Sequence, residues 1–230
     1  MTAPPSGDGG PRAPIRGVIF DLDGVLVDSM GWWREVRSEF AVAQGKHWTT
    51  ADEAAMSGSN TREWRAKVHR RLGLEMPEED VERAIVEALE ARYATRGAPA
   101  MDGAVDAVRR LSERYSLAVA SSSPRPVVEA ALRGLGVRDL IGAVTSSDEA
   151  GPGKPAPDVF LLAARRLGVD PAQCLVVEDS LNGVLAARAA GMRVVLIPDA
   201  DTPPAHGAAE AATYRLASLR ELDPDALPAR

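Results

Sequence analysis

The sequence lacks several features that mark particular classes of protein. It has a single cysteine among 230 residues, so no disulfide can form within the chain. No apolar run approaches the roughly 20 residues that a membrane-spanning helix needs. Residues 1–16 contain no hydrophobic segment of the kind found in signal peptides. The sequence therefore predicts a cytoplasmic protein that does not bind a membrane.

Positive charge is also scarce. Lys and Arg number 27 against 33 Asp and Glu, which gives a formal net charge of -6. Because nucleic acids are bound by basic surfaces, this balance argues against a nucleic-acid partner. Hydrophobic residues at 45% and charged residues at 26% are typical of a globular chain. Its length suits one large domain, or a core with a smaller insert. We expect the protein to be a monomer or a homodimer.

Short apolar runs alternate with helical patterns through most of the chain. The runs are apolar at nearly every position, which is typical of strands buried on both faces of a parallel sheet. They are GVIF (17–20), SLAVA (116–120), AVTS (143–146), CLVV (174–177) and RVVLI (193–197). Helical spacing of apolar residues occurs at 102–113, 125–135, 157–167 and 181–190. We predict an α/β fold with a doubly wound, Rossmann-like parallel sheet.

One long region interrupts this alternation. Residues 30–97 contain no convincing strand, only helical segments at 32–44, 61–73 and 77–96, and nearly 70 residues are too many for a loop. We predict an inserted α-helical cap domain over residues 30–97, with hinges near Ser29 and Gly97. The α/β core then comprises residues 15–29 and 98–230. Residues 1–14, rich in Pro, Gly and Ala, are predicted to form a flexible tail.

Polar residues follow three of the predicted strands directly. In open parallel sheets, ligands bind at the carboxyl ends of the strands, so these residues are the candidates for a site. They are Asp21, Asp23, Ser121, Ser122, Glu178 and Asp179. An Asp-x-Asp-Gly string taken alone is also compatible with a simple turn. Four carboxylates at one edge would repel each other without a cation, however, and oxygen ligands suit Mg²⁺. We predict a Mg²⁺ site formed by the four acids: Asp21, Asp23, Glu178 and Asp179.

Four segments in this order resemble the motifs of the haloacid dehalogenase superfamily, and the resemblance covers nearly all of the chain. The segments are DLDGVLVDS from Asp21, the serine that ends SLAVASSS, the lysine of GPGKPAPDVF, and VVEDSLNGVLAARAAGM. The resemblance implies that Asp21 attacks a phosphoryl group and that Asp23 serves as general acid and then general base. Asp23 also favours phosphoryl transfer over dehalogenation, because dehalogenases of the superfamily lack this second aspartate.

Other residues are expected to bind the phosphoryl group. The hydroxyl of Ser121 and nearby backbone N–H groups, with Leu22 and Ser122 as candidates, would hold the phosphoryl oxygens. Lys154 would balance their charge, although a lysine in a loop is often only a solvated surface residue. The ammonium group of Lys154 and the hydroxyl of Ser121 at one sheet edge predict a site for a small phosphorylated metabolite.

The position of the insert resembles the small helical cap of one branch of the superfamily. That branch holds phosphatases of phosphoglycolate and sugar phosphates, and also β-phosphoglucomutases. Where the mutases have a cap histidine, this chain has Trp33. Their Gly-x-Ser-Arg string corresponds to GSNTREW, in which Arg62 is displaced by one position. Arg62 is either a substrate contact or a solvated helix residue.

The sequence thus predicts a Mg²⁺-dependent phosphatase that hydrolyses a small phosphorylated metabolite, with a sugar phosphate favoured, through an aspartyl-phosphate at Asp21. A hexose-phosphate mutase of the β-phosphoglucomutase type is the alternative. A protein that only binds a phosphorylated ligand is less favoured, because none of Asp21, Asp23, Lys154 and Asp179 is missing.

Overall fold

The computed structural model describes residues 13–56, 59–198 and 206–227. The predicted tail therefore lies outside the described residues except for its last two positions. The sheet has six strands in the order β3-β2-β1-β4-β5-β6, and neighbouring strands are parallel throughout. They are β1 Gly17–Phe20, β2 Ser116–Ser121, β3 Ala143–Ser146, β4 Cys174–Glu178, β5 Arg193–Leu196 and β6 Tyr214–Arg215. The predicted doubly wound parallel sheet is confirmed, with a short sixth strand that the sequence did not reveal.

The helices cover both faces of this sheet. Those before β2 are α1 Met30–Ala43, α2 Thr50–Ala54, α3 Thr61–Leu72, α4 Glu78–Arg96 and α5 Ala104–Ser112. Those after it are α6 Arg125–Gly134, α7 Ser147–Ala150, α8 Asp158–Leu167, α9 Leu181–Ala189 and α10 Ala208–Ala211. Because β1 alternates its side chains, Val18 and Phe20 enter one hydrophobic cluster and Ile19 enters the other. Both faces are therefore packed, which explains why every residue of β1 is buried.

Of the five described helices between β1 and β2, α1 to α4 lie in the region where the sequence predicts a helical insert. Trp64 and Val68 of α3 and Ile85 and Leu89 of α4 are buried in one continuous cluster with the core. The chain enters and leaves this region side by side: Asp28 N–H donates to the carbonyl of Pro99 at 2.8 Å. The division into cap and core domains remains a prediction, and these helices are called the insert below.

The register of the central strands brings their carboxyl ends level. Phe20, the last residue of β1, is paired with Val119 of β2 and with Val177 of β4. The next backbone N–H, that of Asp21, donates to the carbonyl of Val177 at 2.9 Å. The residues that follow β1 and β4 thus lie side by side, and those at the end of β2 lie on the other side of β1.

Candidate active site

The chain turns sharply just after Asp21. The carbonyl oxygen of Leu22 accepts N–H groups from Leu26 at 2.8 Å and from Val27 at 3.0 Å, and the Leu22 side chain is fully buried. Gly24 has a φ of +85°, a backbone conformation that residues other than glycine rarely adopt. The turn allows two carboxylates separated by one residue to lie at the same edge of the sheet. Since its side chain is buried, only the backbone of Leu22 is available for the predicted phosphate contact.

Gly24 also lies directly against the motif that follows β4. A Cβ at this position would lie 2.3 Å from Oδ2 of Asp179, so no larger residue fits without moving that carboxylate. The absence of a side chain at Gly24 therefore lets Asp179 approach the backbone that follows Asp21.

Lys154 connects the first and the last motifs. Its Nζ donates to Oδ1 of Asp21 at 2.5 Å and to Oε1 of Glu178 at 2.6 Å. Only 6% of the Lys154 side chain is exposed. Burial disfavours the charged ammonium, but the two carboxylates outweigh it and raise the pKa of Lys154 above its ordinary value. The lysine is thus a buried group whose protonated form is favoured, and not a solvated loop residue.

Glu178 is held on both of its oxygens. While Oε1 accepts from Lys154, Oε2 accepts from the N–H of Asp179, the N–H of Ser180 and the hydroxyl of Ser180, each at 2.9 Å. Burial opposes its ionisation, but the charge of Lys154 and these donors lower the pKa of Glu178. The carboxylate lies against α9, where a Cβ on Gly183 would come within 1.7 Å of Oε1. Its orientation is therefore fixed from several sides.

Three of the predicted metal ligands form a cluster. Asp21, Glu178 and Asp179 each offer an oxygen that lies within 4.8 Å of the other two. Burial raises the pKa of Asp21 and of Asp179, and the neighbouring carboxylates raise both further. A divalent cation among these oxygens would relieve that repulsion, and an all-oxygen set of this kind suits Mg²⁺. Asp23, the fourth predicted ligand, does not belong to this group.

The Asp23 carboxylate instead accepts hydrogen bonds from two directions. Its Oδ1 accepts from the hydroxyl of Ser29, which precedes α1, and from Nε1 of Trp33 in α1 at 3.4 Å. Its Oδ2 accepts from the hydroxyls of Ser123 at 2.6 Å and Ser121 at 3.4 Å. The sequence does not identify Ser29 or Trp33 as site residues, and it marks Ser123 only as one of the three serines of SSS.

The remaining predicted residues lie in different environments. Ser121 is buried at the end of β2 and its hydroxyl accepts the N–H of Ser123 at 3.0 Å. Ser122 is half-buried beside it. Arg62 is exposed in the first turn of α3, and it makes no ion pair within the part of the chain that the structure describes. The structure therefore groups Ser121 and Ser123 with Asp23, whereas Arg62 makes no contact among the described residues that ties it to the carboxylates.

Together, the fold and this site define an α/β enzyme with a candidate nucleophilic carboxylate, a buried lysine and an acidic cluster at one sheet edge. Comparison with known proteins agrees: a family model described as a haloacid dehalogenase-like hydrolase matches residues 15–191. The chain belongs to the haloacid dehalogenase-like hydrolases. The predicted family and the predicted class of enzyme are thereby confirmed.

Individual relatives cover most of the chain. Fructose-1-phosphate phosphatase YqaB of Escherichia coli (strain K12) is 35% identical over 184 residues, which cover 78% of this chain and 94% of that protein. Hexitol phosphatase B of the same organism is 32% identical over 214 residues, covering 90% and 94%. The structure of CbbY from Rhodobacter sphaeroides in complex with phosphate superposes with a TM-score of 0.79 at 28% identity, covering 90% and 96%. Among the described residues, no helix is long and apolar enough to cross a membrane.

Proposed function

We propose that this protein is a Mg²⁺-dependent phosphatase that hydrolyses a small sugar phosphate through an aspartyl-phosphate at Asp21. The observation that carries the proposal is the placement of Asp21. It lies at the carboxyl edge of the sheet, paired with Lys154 at 2.5 Å, within a cluster of three carboxylates and separated from Asp23 by one residue. A cytoplasmic location and a monomeric or homodimeric state remain predictions from the sequence.

The two aspartates divide the chemistry between them. A carboxylate oxygen of Asp21 attacks phosphorus, and the bond from phosphorus to the leaving oxygen breaks as Asp23 gives that oxygen a proton. Asp23 then takes a proton from a water molecule, whose oxygen attacks the aspartyl-phosphate and releases inorganic phosphate while the Asp21 carboxylate is regenerated. We assign the hydroxyls of Ser121 and Ser123, which lie beside Oδ2 of Asp23, to donate to phosphoryl oxygens during both steps.

Asp21 and Asp179 are the proposed ligands of Mg²⁺, which supplies positive charge against the phosphoryl oxygens when it is bound. Glu178 has both oxygens engaged by protein donors, so we assign it mainly to holding Lys154 in place. The hydrogen bonds of the Asp23 side chain favour a role in proton transfer over the metal-ligand role that the sequence also predicted for it.

The substrate class is inferred from the relatives. One is named as a fructose-1-phosphate phosphatase and the other as a hexitol phosphatase, so a phosphorylated sugar or sugar alcohol is the proposed substrate. Against the mutase alternative stands Trp33, which occupies the position of the mutase histidine and contacts Asp23 directly. We therefore favour transfer of the phosphoryl group to water.

Phosphate release from fructose 1-phosphate and from p-nitrophenyl phosphate in the presence of Mg²⁺ tests the proposal. Asp21→Asn should lower kcat/KM by at least about 10³-fold, because the nucleophile is lost. Asp28→Asn is a matched control, since Asp28 is an exposed carboxylate of the same segment. Full activity in Asp21→Asn would refute the covalent mechanism. Conversion of β-glucose 1-phosphate into glucose 6-phosphate without release of phosphate would instead support the mutase.

A further inference from the structure

We propose that Trp33 is a positioning residue for the general acid: its indole N–H holds Oδ1 of Asp23, so that Oδ2 is the oxygen that transfers the proton. This role rests on the proposed function. Trp33 lies in α1 of the insert, whereas Asp23 follows β1 of the core, so one hydrogen bond links the two regions at the reacting centre.

The first support is that an indole N–H can only donate. Serine hydroxyls rotate and can either donate to a carboxylate or accept from a carboxylic acid, so Ser29, Ser121 and Ser123 adapt to both states of Asp23. The N–H of Trp33 has no such choice, and a proton on the oxygen that it faces would leave it a weaker acceptor. That oxygen is Oδ1. The other oxygen, Oδ2, faces Ser123 at 2.6 Å and Ser121 at 3.4 Å, the serines at the end of β2.

The second support is the way the Trp33 ring is held. Only 5% of the residue is exposed. The guanidinium carbon of Arg37 lies 4.6 Å from the centre of the ring, and the ring of Trp64 meets it edge-on at a centroid distance of 5.8 Å. Such cation–π and edge-to-face contacts fix both the position and the plane of the indole. The N–H is thus aimed before any substrate binds.

Arg37 is itself fixed by an ion pair within the insert. It pairs with Glu53 at 2.5 Å, and both side chains are largely buried, with 7% and 12% exposed. Glu53 also accepts the indole N–H of Trp48 at 2.8 Å. A chain of contacts therefore runs from Glu53 through Arg37 and Trp33 to Asp23. It gives the insert a direct means of orienting the proton donor, separate from any contact with substrate.

The dependence of rate on the leaving group tests this role. For a series of substituted phenyl phosphates, kcat/KM reports the step in which the leaving oxygen departs, and a positioned acid matters most for the least acidic phenols. Trp33→Phe keeps an aromatic ring and removes the N–H. It should lower kcat/KM about threefold to tenfold for phenyl phosphate, the effect of one hydrogen bond, and change p-nitrophenyl phosphate less than about twofold. The plot of log kcat/KM against the pKa of the phenol becomes steeper.

Two further variants separate positioning from a structural effect. Ser29→Ala removes the other donor to Oδ1 and should steepen the plot in the same direction. Trp32→Phe is the matched control. The indole of Trp32 packs on the ring of Tyr93 at a centroid distance of 5.0 Å, and the plot for Trp32→Phe should keep the wild-type slope.

An unchanged slope in Trp33→Phe, whether kcat/KM falls equally for all phenyl phosphates or not at all, would overturn the proposed role while leaving the phosphatase activity intact. If the wild-type protein released phosphate from none of the esters, the proposed function would fail, and the role of Trp33 with it. The two failures are distinguishable because the first requires an active wild-type enzyme.

Discussion

Replacing Gly183 with alanine should disable the site without touching any reacting group. Gly183 lies in the first turn of α9, where alanine would normally favour the helix. Here the new Cβ would lie 1.7 Å from Oε1, 1.8 Å from Cδ and 2.4 Å from Oε2 of Glu178. Since all three atoms are too close, a small rotation of the carboxylate cannot resolve the clash. Glu178 must leave its position, or α9 must move away from β4.

The cost follows from the partners that Glu178 would leave. Its carboxylate is 1% exposed and accepts from Lys154, Asp179 and Ser180. Breaking one side of a buried ion pair costs about 3–5 kcal/mol, and each kcal/mol shifts Tm by about 2–4 °C in a chain of this size. We therefore expect Gly183→Ala to lower Tm by about 6–20 °C. Because Lys154 would lose one of the two carboxylates that hold it, kcat/KM should fall at least about tenfold.

Thermal unfolding monitored by circular dichroism and phosphate release at a temperature well below both transitions measure the two effects. Gly31→Ala is the matched control, since Gly31 lies in the first turn of α1, where an added Cβ would meet no heavy atom within 4 Å beyond its own helix backbone and chain neighbours. There, alanine should leave activity unchanged and leave Tm equal or slightly higher. A wild-type Tm and kcat/KM in Gly183→Ala would refute the close packing of Glu178 on α9.

Two other perturbations address the metal and helix α7, which precedes the loop of Lys154. Mg²⁺ at a hundred times its Kd should stabilise the native protein by about 2.7 kcal/mol and raise Tm by about 5–11 °C. Asp179→Asn should abolish that rise, and an equal rise in the variant would place the ion elsewhere. Hydrogen bonds from Arg166 lower the pKa of Glu149 from 4.5 to about 2, so its stabilisation is complete above pH 5 and is lost as the pH falls towards 2. The difference in Tm between wild type and Glu149→Gln should shrink over that range, and a constant difference would count against the ion pairs of Glu149.

The central strands could be predicted from the sequence because their burial leaves a simple pattern. GVIF in β1 and CLVV in β4 are apolar at every position, as expected for strands covered on both faces. Strand β6 has only two residues, one of them exposed, and so carries no such pattern. The short helix α2 was missed for a related reason: none of its residues is buried, so no apolar stripe marks it.

Much of the candidate site could also be predicted, because parallel strands in register bring their ends together. This geometry joins Asp21 to Glu178 and Asp179 as soon as β1 and β4 are neighbours. The partners of Asp23 could not be found in this way. The contact with Trp33 depends on how α1 of the insert packs against the core, which no local spacing encodes.

The balance of charge at this edge explains why the sequence predicts a metal there. Asp21, Glu178 and Asp179 bring three carboxylates together, and Lys154 brings one ammonium group. When all are ionised, two negative charges remain, and one divalent cation neutralises them before a phosphate ester arrives. Asp23 stands outside this balance, held by hydroxyl and indole donors that carry no charge. Its negative charge nevertheless raises the pKa of Asp21, so a protonated Asp23 favours the ionised form of the nucleophile.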